Sequence, residues 1–367
     1  MKNILIKILY RIVRGAGARK ETVPGSRRRF LVVSATGVGD TLWGTPALAE
    51  LRVAFPEGHI GVLTSPPGSE ILKGNPAVDE LFVFRRGTAG FLSMLSLLRT
   101  LRKRAFDTVF VFHASDRIIW PLTLLTGAAE IIGVEGQNKG LDFILTRPVR
   151  PDPTLHAVET RFAQLRCTGA TPSPRPLFLA LAEREREAAD AFLKNHGING
   201  DSLLVGLHPG AQKPYKCWPP RHFITAGNLL AERLGCRVVV TGGGAERELA
   251  DTVAAGIRGA ISAAGSLSLR ETAALIGKMD VFIANDTGPM HIAFALATPV
   301  VALFCPTDPR LCGPYRAEKA VVIEKAKTCT PCTGKKCSHP VCMDQISPGE
   351  VVTAAARLVR ARDTAGV

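Results

Sequence analysis

Residues 280–306, DVFIANDTGPMHIAFALATPVVALFCP, decide how the rest of the 367-residue chain is read. VFIA and VVALF are unbroken apolar runs, the pattern of parallel strands covered on both faces. Between them Asp286 falls where a helix would be capped, and Thr287, Gly288 and Pro289 fall where its first turn would lie. Met290, Ala293, Phe294 and Ala297 recur at helical spacing. The reading is buried strand, polar turn, amphipathic helix, buried strand. His291 stands one turn beyond Thr287, so both are expected to look toward the helix start. A helix start offers unpaired N–H groups and a positive dipole end, and Gly288 has no side chain to obstruct an anion there. The same pattern suits a plain strand–turn–helix in which Asp286 does no more than cap.

The second half upstream of this stretch alternates in the same way. LLVGLHPG, CRVVVTGGG and ISAAGS read as strands, with helices over 183–195, up to 234, from 245 and over 269–278. Lys216, in the loop after LLVGLHPG and ahead of Trp218-Pro219, can neutralise a diphosphate or be an ordinary loop lysine. TGGGAERE is a glycine-rich strand-to-helix turn in which Glu246 can bond ribose hydroxyls or serve only a tight connection.

The first half starts a separate α/β run. FLVVSA enters TGVGD and a helix over 41–55, and HIGVLT, ELFVF and DTVFVFH follow as strands, with helices near 67–73 and 91–104. The dinucleotide fingerprint fails, because Leu42 stands where GxGxxG needs its third glycine, and no Walker lysine is present. Asp40, at the tip of the first strand after Gly39, can take a proton from a substrate hydroxyl or cap the next helix. His113 and Asp116 follow the fourth strand, where ligands gather in such sheets. Proline-rich segments at 147–153 and 170–176 mark a linker between two domains.

Lys and Arg exceed Asp and Glu by 46 − 32 = 14, which calls for an anionic partner. Three Tyr and three Trp, with no aromatic–basic interleaving, argue against nucleic acid. No apolar run is long enough to span a bilayer. Residues 2–14, KNILIKILYRIVR, form a basic amphipathic segment with Ile4, Leu5, Ile8, Leu9 and Ile12 on one face. It suits an anionic membrane surface or a helix packed on its own domain. Arg19, Lys20, Arg27, Arg28 and Arg29 continue the charge. Nine cysteines fit a reducing compartment. Four of them, Cys329, Cys332, Cys337 and Cys342, are spaced C-x2-C-x4-C-x4-C. Structural zinc is the default for that spacing, with iron–sulfur, labile disulfides and free thiols as rivals. A helix over 348–362 closes the chain.

The segments GVGDTLWGTPALAELRVAFP, LHPGAQKPYKCWPPRHF, NDTGPMHIAFALATPVVALFCPTDP and CMDQISPGEVV, in that order, resemble glycosyltransferase family 9, the lipopolysaccharide heptosyltransferases. The resemblance covers nearly everything after about Phe30. It implies an α/β GT-B fold with two Rossmann-like domains about a cleft. The expected division is a basic segment 1–26, an acceptor-binding domain 27–180, a nucleotide-sugar domain 181–346 carrying the cysteine cluster, and a C-terminal helix 347–367. It implies Asp40, beside Gly39, as catalytic base and Lys216 as diphosphate ligand. Asp286, Thr287, Gly288 and His291 form the phosphate turn, Glu246 meets the ribose and Leu267 the adenine. Gly210, Ala211 and Gln212 stand near the site, where some members place small hydroxyl residues. The implied reaction is inverting transfer from ADP-heptose to an anionic glycolipid of the lipopolysaccharide core. It takes place at the cytoplasmic surface of the inner membrane, with no catalytic cofactor and no nucleic acid. The chain has no Asp-x-Asp pair, so a metal-bridged diphosphate is not expected. Two rival readings are a GT-B transferase using a UDP-sugar and a non-enzymatic metal or redox module built on the cysteines.

Overall fold

Each of the expected strand runs forms a strand, and the strands gather into two six-stranded parallel sheets. The computed structural model describes residues 3–15, 28–85, 90–200, 202–329, 337 and 341–365. Two compact units emerge, residues 1–175 and 176–367. The first contains β1 (Arg29–Ala35), β2 (His59–Thr64), β3 (Glu80–Val83), β4 (Thr108–Ala114), β5 (Glu130–Val134) and β6 (Arg147–Val149), in the spatial order β3-β2-β1-β4-β5-β6. The second contains β7 (Leu204–His208), β8 (Arg237–Val240), β9 (Ile261–Ser262), β10 (Val281–Asn285), β11 (Val300–Phe304) and β12 (Ala320–Glu324), in the order β12-β11-β10-β7-β8-β9.

The two topologies are the same. Three strands step outward from the middle of the sheet, and the chain then returns so that the fourth strand pairs beside the first, β4 on β1 and β10 on β7. Loops leaving those two neighbours diverge, which opens a crevice at the carboxyl ends of the strands. The central strands have no wet face. Phe30, Leu31, Val32 and Val33 in β1, and Val281, Phe282, Ile283 and Ala284 in β10, are fully buried. That is why they read as unbroken apolar runs rather than as alternation. β5, β6 and β12 are not among the strands read from the sequence. Two of them are outer strands, and β6 carries Pro148, which only an edge tolerates.

The helix expected over 41–55 is instead two, Val38–Leu42 and Thr45–Ala54. In a continuous helix the carbonyl of Leu42 would need the N–H that Pro46 lacks. The Thr45 hydroxyl takes it instead, at 2.7 Å. The N-terminal segment is a helix, Ile4–Gly15, that rests on unit 1 through Ile6, Leu9 and Tyr10. At the end of unit 1, buried Glu50 accepts from the Ser173 N–H at 2.7 Å and pairs with Arg175. In unit 2, Arg270 and Glu185 form a buried ion pair in which both Arg270 Nε and Nη2 donate to the carboxylate. The closing helix Pro348–Ala365 supplies Val351, Val352, Ala355 and Val359 to the core around Trp218, Phe223 and Leu230.

Gly206 lies opposite Phe282 across the β7–β10 ladder. A Cβ there would fall 1.9 Å from Met279 Sδ and 2.6 Å from Phe282 Cδ2. Overpacking of this kind costs about 1–3 kcal/mol. Gly206→Ala is therefore expected to lower unfolding free energy by about that much in a urea titration. Combined with Met279→Ala, the loss should be smaller than the sum of the two single losses.

Candidate active site

In unit 2 the crevice is organised by Asn285, the last residue of β10, which is fully buried. Its amide donates to the carbonyls of Pro209 at 2.9 Å and Gly210 at 3.3 Å, and its oxygen accepts from the Trp218 N–H at 2.9 Å. These bonds fasten both ends of the loop after β7 to the end of its neighbour. The loop carries Gly210, Ala211, Gln212 and Lys216, the last in a single helical turn, Pro214–Lys216. Trp218 is fully buried and donates through Nε1 to the Ile346 carbonyl at 2.9 Å, which anchors the far end of the loop in the core.

The fixed loop brings the Lys216 ammonium onto the Asp286 carboxylate. Thr307, after β11, donates to the same carboxylate oxygen at 2.6 Å. Asp286 is thus occupied and does not cap the helix as the sequence reading expected. The cap position falls to Thr287, in extended backbone (φ −154°, ψ 170°), and the helix spans Gly288–Ala295. The Thr287 side chain makes no capping hydrogen bond, and Pro289 in the first turn has no N–H. A helix start with no capping side chain, a glycine in its first turn and an ammonium held on the residue two before it is suited to an anion. His291 is buried, its ring 5.8 Å from Phe294 at 72°.

Glu246 ends the short turn Gly244–Glu246 after β8 and accepts from the Gly243 N–H at 2.9 Å. A Cβ on Gly210 would stand 2.1 Å from Glu246 Oε1, so only glycine lets the carboxylate lie over that loop. Glu246 Oε1 is also 3.8 Å from Nε2 of His208, whose Nδ1 lies 3.1 Å from Thr241 Oγ1. Burial pushes the His208 pKa down, against the pull of Glu246, and favours the neutral ring. Leu267 is half-buried in the turn after β9. That turn meets the Glu246 turn, since the Gly265 N–H donates to the Gly242 carbonyl at 3.2 Å. Lys216, Asp286, Thr287, Gly288 and Glu246 therefore belong to neighbouring loops at one end of one sheet. Asn285, His208 and Thr307 were not singled out in the sequence. A strand-ending Asn before Asp-Thr-Gly carries no local signal of the three backbone groups it will meet.

In unit 1, Asp40 lies in the short helix Val38–Leu42 after β1, 29% exposed, with Gly39 half-buried beside it. His113, near the end of β4, has Nδ1 3.9 Å from Asp40 Oδ1. Desolvation lowers the His113 pKa, Asp40 works to raise it, and Arg161 and Lys139 lower it further. Arg161 is the residue that sequence reading missed. It comes from the helix Ala157–Arg166, is 4% exposed, and donates to the backbone carbonyls of Ala157 at 2.5 Å and Asp40 at 3.3 Å. Its guanidinium lies 5.7 Å from the Trp43 ring centre and 6.0 Å from that of Phe112. Burial drops its pKa to about 10, with Asp40 opposing. Asp116 accepts from the Ile118 N–H at 3.1 Å, just ahead of the next helix.

Of the clustered cysteines, Cys329 is exposed, Cys337 half-buried and Cys342 buried, and Cys332 lies outside the described residues. Burial pushes the Cys342 thiol up. Hydrogen bonds from the Thr328 hydroxyl (3.1 Å) and N–H (3.3 Å), with one from Cys305, outweigh that and leave its pKa below the ordinary value. Among the described residues no three His, Cys, Asp or Glu side chains gather closely enough to hold a metal.

The model of glycosyltransferase family 9 (heptosyltransferase) matches residues 94–342. Lipopolysaccharide heptosyltransferase 3 of Escherichia coli K12 is 29% identical over 284 residues, 74% of this chain and 80% of that protein. Among solved structures, a family 9 glycosyl transferase from Veillonella parvula superposes with a TM-score of 0.83 at 26% identity, covering 92% of this chain and 99% of that one. The E. coli heptosyltransferase WaaC, solved with ADP, gives a TM-score of 0.71 at 20% identity, covering 90% of this chain and 99% of that one, a likeness of fold.

The pair Asp40–His113 can be tested before any substrate is in hand. Asp40 holds the His113 pKa higher than burial and the two cations alone would leave it. In Asp40→Asn the His113 titration midpoint, followed by NMR, should therefore move to lower pH.

Proposed function

This chain belongs to glycosyltransferase family 9, the heptosyltransferases, and from that membership we propose that it moves a heptose from ADP-heptose onto an anionic glycolipid of the lipopolysaccharide core, with inversion at the anomeric carbon. It is a glycosyltransferase of GT-B fold. The observation that carries the donor half of the reading is the Lys216 ammonium fixed on Asp286 ahead of an uncapped helix start. A relative of the same fold was solved with ADP, and a diphosphate is the part of ADP that such a seat would hold. In this reading residues 27–180 take the acceptor and residues 181–346 take the nucleotide-sugar. The basic segment 1–26 and the C-terminal helix 347–367 are accessory to the two.

Asp40 is the base. It receives the proton of the acceptor hydroxyl as that oxygen bonds to the anomeric carbon. The bond from that carbon to the β-phosphate oxygen breaks, and its electron pair leaves with ADP. Lys216, with the N–H groups of Gly288 and Met290, meets the charge that grows on the departing diphosphate, a task for donors already in place. Thr287 and Gly288 shape the turn. Asp286 aims Lys216, and buried His291 backs the helix. Glu246, over Gly210, bonds the ribose hydroxyls, and Leu267 covers the adenine. Arg161 holds the backbone of the Asp40 turn through its bond to the Asp40 carbonyl. No metal is needed where an ammonium and a helix start serve the diphosphate. The cysteine cluster stands outside this chemistry. We assign it a structural role in which Cys329, Cys332, Cys337 and Cys342 would hold zinc. The acceptor places the work at the cytoplasmic face of the inner membrane. No described helix is long and apolar enough to cross it.

Asp40→Asn should bind ADP as the parent does by calorimetry while turnover falls by about 10²–10⁴-fold. Near-parental turnover would remove Asp40 as base. Chelator added to the parent enzyme should leave the initial rate unchanged, and ADP should raise the melting temperature where UDP does not. A rate lost to chelator and restored by magnesium would overturn the metal-free assignment.

A further inference from the structure

The helix Ile4–Gly15 has two apolar faces, and among the described residues only one is packed. Ile6, Leu9 and Tyr10 pack on the unit 1 core. The Tyr10 ring meets Phe143 edge-on at 5.4 Å, Lys7 Nζ lies 5.7 Å from the same ring, and the Asn3 amide donates to the Gly140 carbonyl at 3.3 Å. At about 100° per residue, Ile4, Ile8 and Ile12 line up on the side roughly opposite that seat. They are 55%, 49% and 63% exposed, three of the few large apolar side chains left open, and they share one helix face. Lys7 and Arg11, both exposed, run along one flank of the stripe. Ile118, 48% exposed, immediately precedes the helix Ile119–Leu125 on which this helix packs.

We propose that the outward stripe Ile4–Ile8–Ile12, flanked by Lys7 and Arg11, is a surface by which unit 1 docks on an anionic lipid bilayer, with the helix lying flat in the headgroup layer. The proposal deepens the reading above of an enzyme working on a membrane-held acceptor, and supplies the surface that reading lacks. The partner follows from two chemistries side by side. The isoleucines need an apolar medium that the described residues do not provide, and the cations beside them need anions at the same depth. The boundary between acyl chains and acidic headgroups offers both. A net charge of +14 adds long-range attraction to such a surface. The inward face of the helix is already seated, so docking needs no release of the helix and would hold unit 1 in a fixed attitude to the bilayer.

The test uses the full-length protein in a flotation assay. Phosphatidylglycerol-rich vesicles should carry it, and pure phosphatidylcholine vesicles should carry about tenfold less or worse, with high salt releasing it. Ile4→Ser/Ile8→Ser/Ile12→Ser, and separately Lys7→Gln/Arg11→Gln, should each weaken binding to the anionic vesicles about tenfold or more. Both should keep the parental melting temperature and the parental rate on a lipid-free core oligosaccharide. That last measurement separates failure of this proposal from failure of the transferase reading. Ile8→Trp provides a gain of signal, since its emission should be quenched by brominated anionic lipid. Undiminished flotation of the triple variant, equal binding to both vesicle types, or a dimer in light scattering that the triple variant dissolves would overturn the proposal.

Discussion

A single side-chain amide sets the geometry of unit 2. Asn285 ends a fully buried strand, and its three hydrogen bonds to Pro209, Gly210 and Trp218 tie the neighbouring loop to it. Buried polar groups that find all their partners fix one arrangement, because each alternative leaves a donor or acceptor unpaired. With the loop fixed, Lys216 reaches Asp286, Asp286 is withdrawn from capping, and the helix beyond opens with its first N–H groups unclaimed by the cap. The position of the ammonium follows from a buried residue whose own bonds all go to the loop it holds.

The two halves of the molecule answer the same topological problem with different chemistry. Each places its first and fourth strands side by side, and so opens a crevice where their following loops part. Unit 2 fills that place with backbone amides, a lysine and a carboxylate over a glycine. Unit 1 fills it with Asp40, His113 and a buried guanidinium.

The fold was legible because central parallel strands are dry on both faces and advertise it as apolar runs. The edge strands β6 and β12 escaped because edge positions relax that demand, and the inner strand β5, EIIGV, because its apolar run is short and broken by Gly133. Asp40, Glu246, Lys216 and the Asp286–Gly288 turn stood out as polar residues beside glycine or proline after a strand, and the structure places each in such a turn. The site was illegible where a residue acts across the sequence. Arg161 bonds a carbonyl 121 positions away, and Asn285 reaches back 76 to Pro209. The cap was read one residue early, since nothing near Asp286 in sequence announces that Lys216 and Thr307 will claim it. The N-terminal helix was foreseen as amphipathic, yet periodicity alone gave it one apolar face and the packing reveals two.

Arg161 carries a further consequence. A guanidinium buried between Trp43, Phe112 and a main-chain oxygen is held in a place that disfavours its charge, and burial pushes its pKa down to about 10. Groups of this kind are often exchanged for apolar ones of similar volume with no loss of stability, or with a gain. Laboratory evolution driven by heat resistance alone would tend to discard this arginine, and the hardiest descendants would be those in which the Asp40 turn has come adrift.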